Sequence, residues 1–159
     1  MNKQTTKKED EQEQQQLFQN ILKEKQDKLR QNQNSDISTR VKIAIENPPL
    51  KCNDEQTIEK YVLLVQNEFS NIKGRENELV NSLNDEEAVN LYEYINKSFQ
   101  YISEGKSKED KFLPGKLLKI HSLLIQKFGK SLILRSICKK KALIQKIDNF
   151  KVSKDINQQ

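Results

Sequence analysis

Leu113-Pro114-Gly115-Lys116-Leu117-Leu118-Lys119-Ile120-His121-Ser122-Leu123-Leu124-Ile125-Gln126-Lys127-Phe128-Gly129 decides the fold class. Leu113, Leu117, Ile120, Leu124 and Phe128 recur at three- and four-residue steps, which gathers them on one side of an α-helix. Leu118 and Ile125 widen that stripe until most of the circumference is apolar, which predicts a central helix. Gly129 ends it, because glycine accepts the left-handed backbone that closes a helix.

Working outward, the same period recurs and no alternating strand pattern bounded by hairpin turns competes with it. Ser131 opens a further helix with Leu132, Ile133 and Ile137, and Leu143, Ile144, Ile147 and Phe150 continue the pattern or add a helix. Upstream, Asn84 stands before Asp85-Glu86-Glu87, where a cap and negative charge suit the positive end of a helix carrying Ala88, Leu91, Tyr92, Ile95 and Phe99. A short helix holds Leu79, Val80 and Leu83. Asp54 caps another with Ile58, Tyr61, Val62, Val65, Phe69 and Ile72, expected to run about 30 Å and to end near Gly74. Ser35 or Asp36 caps one with Ile37, Val41, Ala44 and Ile45, which must stop before Asn47-Pro48-Pro49 because neither proline has an N–H. Residues 103–110 read as a polar surface loop. The expectation is an all-α protein, a compact array of about six short helices of the α-α superhelix kind with no fixed-period repeat.

Toward the N-terminus the chain changes character. Residues 1–16 are almost wholly polar and lack the apolar surface that offsets the entropy of ordering, so they read as disordered when free. Leu17, Phe18, Ile21, Leu22 and Leu29 then form a short amphipathic segment, set off by the polar run at 31–35. Such a segment is marginal alone and calls for a binding surface, either its own domain or a partner. The division that follows is an N-terminal arm (1–35), a helical domain (36–141) and a C-terminal extension (142–159).

With 34% hydrophobic and 32% charged residues, the folded part must be economical. The net charge of +5 is unevenly spread: residues 41–115 hold 9 Lys and Arg against 14 Asp and Glu, and residues 116–159 hold 11 against 2. That asymmetry favours internal complementarity or docking on an acidic partner. Cys52 and Cys138 fit no metal or redox spacing, which suits a reducing compartment. Without a secretory or mitochondrial leader pattern or a membrane-length apolar run, the expected location is the cytosol.

Catalytic constellations are not suggested. His121 lies on the most apolar stretch with no motif supplying a nucleophile or an orienting acid, and reads as a partly buried structural histidine. Asp85, Glu86 and Glu87 point about 100° apart and cannot converge on a substrate. The four glycines have no phosphate-cradling spacing. No cofactor, metal or small-molecule substrate is expected. The basic region, Lys127, Lys130, Arg135, Lys139, Lys140 and Lys141, is the strongest electrostatic feature. It suits an acidic protein partner, and it keeps open a second reading: a small basic helical protein of a ribonucleoprotein or other large assembly, binding phosphate. No aromatic stacking platform accompanies these lysines, which makes nucleic acid the weaker of the two.

Three motifs carry a family resemblance. They are Ala44-Ile45-Glu46-Asn47-Pro48-Pro49, then Leu91-x-x-Tyr94-Ile95-x-Lys97-x-Phe99, then Leu117-Leu118-x-x-His121 followed by Gly129-x-Ser131-Leu132. In this order and helical context they resemble subunit 5, the smallest-subunit family of the actin-related protein 2/3 complex, the nucleator of branched actin filaments, over roughly residues 41–141. The resemblance implies a non-catalytic, all-α subunit of the cytoplasm and cytoskeleton that packs against the propeller subunit and a neighbouring small subunit, touching the actin filament only indirectly. It also implies an N-terminal arm that reaches actin-related protein 2, with Leu17, Phe18, Ile21 and Leu22 placed in that arm.

Overall fold

The computed structural model describes residues 2–50, 52–107 and 110–139, with side chains from residue 9 onward. Among them there are helices and no strands: α1 (Asn2–Gln31), α2 (Ile37–Ile45), α3 (Glu55–Ser70), α4 (Glu76–Ser82), α5 (Asp85–Ser103), α6 (Leu113–Phe128) and α7 (residues 131–139). The C-terminal extension and Lys140 and Lys141 lie outside the described residues.

Local chemistry sets the boundaries. Asp36 accepts from the Thr39 N–H at the start of α2, and Asp54 from the Thr57 N–H at the start of α3. At α5, Asn84 and Glu87 form a reciprocal capping box, each side chain accepting from the other's backbone N–H at 2.9 Å. Asn47, at φ 44, turns the chain out of α2 into the two prolines. α3 stops at Ser70, short of Gly74, so it is about 24 Å long. Ile72 is nevertheless fully buried beyond its end.

The core is shared by all of these helices. α6 packs against α3, α4 and α5, and α2 against α1, α3, α4 and α5. Tyr61, Phe69, Leu79, Leu91, Ile95, Leu117, Ile120 and Leu124 are sealed from solvent between them. Each large side chain so buried contributes about 1.5–3 kcal/mol before entropy is counted.

Two features differ from the sequence expectation. α6 is one-sided: Leu113, Leu117, Ile120 and Leu124 are buried, while Leu118 keeps 60% of its surface exposed. Its apolar width exceeds what the neighbouring helices cover. The second difference is α1, one helix of 30 residues instead of a polar segment followed by a short amphipathic one. Gln, Glu and Lys dominate residues 2–16 with no Gly or Pro, and a helix already nucleated by docking propagates through such residues at little cost. Leu22 and Leu29 are buried in the common core, with Phe18 and Ile21 packed beside them. The C-terminal half of α1 is therefore part of the body.

Candidate docking surface

Polar groups fasten α1. Lys25 sits between Leu22 and Leu29 on the apolar stripe and is 3% exposed. Its Nζ donates to the Ala44 carbonyl at 3.0 Å, at the C-terminal end of α2, and lies 4.9 Å from the Tyr61 ring centroid. Burial pulls the Lys25 pKa down to about 8, with the Glu46 carboxylate opposing and Lys28 reinforcing the shift. The Tyr61 hydroxyl donates to the Phe18 carbonyl at 2.8 Å, and burial lifts its pKa to about 12. Arg40 of α2 grips Glu68 of α3 with two bonds of 2.8 and 2.7 Å and donates to the Leu29 and Asn32 carbonyls. One guanidinium thereby ties the end of α1 to two other helices.

Of the four apolar residues Leu17, Phe18, Ile21 and Leu22, Leu17 alone faces solvent, at 56% exposure; Leu22 is buried and Phe18 and Ile21 are half-buried against the body. The surface that α1 offers outward is thus its polar side together with Leu17.

Three of the described basic residues, Lys127, Arg135 and Lys139, bond to other helices of the chain while staying at its surface. Lys127 donates to the Val80 and Asn81 carbonyls at 3.0 and 2.9 Å, closing the end of α4. Arg135 pairs with Asp85 at 2.7 Å, Lys139 donates to Asn90 at 2.7 Å, and the Ser136 hydroxyl donates to Glu93. α7 is in this way stitched to the acidic half of α5. Lys130 is exposed at the turn between α6 and α7. Opposed charges of the two halves of the sequence meet at the surface, where the Arg135 and Asp85 side chains remain 49% and 69% exposed.

One outward face of α7 is apolar. Leu132 is buried, whereas Ile133, Leu134 and Ile137 are 37%, 64% and 46% exposed and lie within about a third of the helix circumference. Leu118 on α6 and Phe112 just before it add two further exposed large side chains. The sequence places Leu132, Ile133 and Ile137 on one helix without dividing its faces; the signal that separates them is the 100° step, which carries Ile133 and Ile137 away from Leu132. Lys25 was missed as well, although its place between Leu22 and Leu29 marks it as a stripe position.

His121 is half-buried, its ring 5.5 Å from that of Tyr92 at a 32° tilt, as a packed structural residue would be. Among the described residues no group of three or more His, Cys, Asp or Glu could hold a metal, and no helix is long and apolar enough to cross a membrane.

A small all-helical body with polar internal clasps and an outward apolar helix face defines the class of protein: a subunit built to be covered by others. The family model for the ARP2/3 complex 16 kDa subunit (p16-Arc) matches residues 1–143. The chain belongs to that family, a family of structural subunits of the actin-related protein 2/3 complex, and its partners are other subunits of that complex. No curated protein matched the chain.

Proposed function

We propose that the chain is the non-catalytic subunit that tethers actin-related protein 2 to the core of the complex and so supports nucleation of branched actin filaments in the cytoplasmic cytoskeleton. The observation that carries this reading is the exposed apolar face of α7, Ile133, Leu134 and Ile137, on a chain matched to the family over residues 1–143. Exposed apolar groups clustered on one element mark a protein interface. This face seats on the propeller subunit and the neighbouring small subunit. The tether is the N-terminal part of α1 up to Leu17, since Phe18, Ile21 and Leu22 are already occupied by the body.

A nucleator must hold two actin-like subunits side by side, and fixing one of them lowers the entropic cost of the first actin contacts. Tethering acts through effective concentration: the arm needs little affinity of its own once the body is seated. The test separates the two surfaces. Leu134→Asp with Ile137→Asp should abolish co-purification with the complex while the free chain stays folded by circular dichroism. Deletion of residues 2–16 should leave incorporation intact and lower branch density in an actin assembly assay. Incorporation lost on deleting 2–16, or kept with both aspartates, contradicts this division of labour.

A further inference from the structure

Phe112 is the most exposed large apolar side chain among the described residues, at 77%. A lone apolar group on a surface is ordinary. What sets this one apart is how firmly its backbone is mounted. Its N–H donates to the Asp110 carboxylate at 3.0 Å, and the other oxygen of that carboxylate accepts from the Ser70 hydroxyl at 2.8 Å, at the end of α3. Lys116 closes the other side: its N–H donates to the Phe112 carbonyl at 3.2 Å and its Nζ to the Ser70 carbonyl at 2.8 Å. Pro114, in the first turn of α6, fixes the chain direction between them. The ring therefore projects from a backbone clamped between α3 and α6, with two side-chain torsions left to order. Pre-organisation of this kind is what makes an aromatic side chain an effective anchor.

The charges around it have one sign. Lys111, beside the ring, and Lys116 sit at the start of α6, where the helix dipole is already positive. Lys73, in the turn that leaves α3 just beyond Ser70, is a further exposed cation. No acid occupies the first turn of α6, whereas α3 begins with Glu55 and α5 with Asp85, Glu86 and Glu87. Asp110 is the acid at this junction, and both its oxygens are taken by Ser70 and by the Phe112 N–H. Carboxylates brought from outside would relieve the repulsion. An anionic membrane could supply negative charge as well. One ring, however, inserts far less hydrocarbon than a myristoyl chain, which by itself binds membranes only marginally.

We propose that Phe112 inserts into an apolar pocket of a neighbouring subunit, and that carboxylates on the rim of that pocket meet Lys73, Lys111 and Lys116. This surface is separate from α7 and from the arm, and the proposal rests on the chain's membership of the complex alone.

The test is hydroxyl-radical footprinting of Phe112, read by mass spectrometry in the free full chain and in the purified complex. Oxidation should be fast in the free chain and about tenfold slower in the complex, as for a residue at an interface core. In competition with the unchanged chain for a complex lacking this subunit, Phe112→Ala should lose by about thirtyfold, the size of a hot-spot truncation. Because the ring is exposed, the variant should keep the melting temperature of the free chain, which separates lost docking from lost folding. Lys73→Glu with Lys111→Glu should lose by about tenfold, and the deficit should shrink as salt is raised.

Equal oxidation in the free chain and the complex would overturn the proposal. Protection of the ring with the charge-reversed chain incorporating normally would refute the acidic rim. Sedimentation of the free chain with phosphatidylserine vesicles, lost in Phe112→Ala and accompanied by no protection in the complex, would assign the surface to a membrane instead. Protection that grows with the concentration of the free chain would assign it to a second copy. Protection in the complex while Leu134→Asp with Ile137→Asp still incorporates would refute the α7 interface and leave this one standing.

Discussion

Lys25 places an ammonium where α1 meets the body, and its energetics can be worked out by sign. Its pKa is about 8 in the folded chain and about 10.5 when exposed, so between these values the unfolded chain binds more protons. Stability should therefore rise as pH increases from 8 to 10, by up to about 2 kcal/mol, and the penalty is fully present below pH 8. Tyr61 works the other way only above pH 10, because its folded pKa is raised to about 12. Urea titrations at pH 7.5, 8.5 and 9.5 should show the midpoint climbing, and Lys25→Met should flatten that climb; a midpoint independent of pH would mean the ammonium is solvated. Arg40 is the second residue of this kind. Its carboxylate partner has a side chain only 6% exposed, so Arg40→Ala strands a buried charge and should cost about 3–5 kcal/mol by denaturant unfolding. Glu68→Gln keeps a neutral acceptor for the guanidinium and should cost clearly less.

At the scale of elements, the ends of α2, α3 and α5 were legible because capping is local: Asp36, Asp54 and Asn84 each need only a backbone N–H two or three residues on. Asn84→Ala should accordingly remove about 1 kcal/mol, measured at the urea midpoint. The course of α1 was not legible. Whether Gln-rich residues join a helix depends on whether the residues beside them are docked, and Leu22, Lys25 and Leu29 dock through groups on α2 and α3 that no local pattern names. Gln12→Pro should consequently melt the residues before it, seen as lost helical circular dichroism, without moving the main unfolding transition. The candidate surface was half legible in the same way. The sequence marks Lys127, Arg135 and Lys139 as cations, but only packing shows that α4 and α5 consume them and leave Ile133, Leu134 and Ile137 outside.

On the scale of the molecule, stability is unevenly distributed, and the least secured element carries the proposed interface. α6 buries four large side chains against three helices, whereas α7 buries Leu132 alone among its large apolar residues and otherwise relies on hydrogen bonds and the Arg135–Asp85 pair. That pair is about half exposed on the arginine side and more so on the aspartate side, and contacts of this kind are worth about 0–1 kcal/mol. An element held so lightly opens by local fluctuation long before the core does. Amides of residues 131–139 should exchange hydrogen orders of magnitude faster than those of Leu117–Leu124 in the free chain, and should become protected on incorporation into the complex. Both halves matter. Slow exchange in the free chain would show α7 to be a core helix whose exposed isoleucines are incidental; fast exchange unchanged in the complex would place the interface elsewhere. Protection gained only on assembly would mean that partner subunits complete the burial that this chain, with 34% hydrophobic residues, does not complete alone.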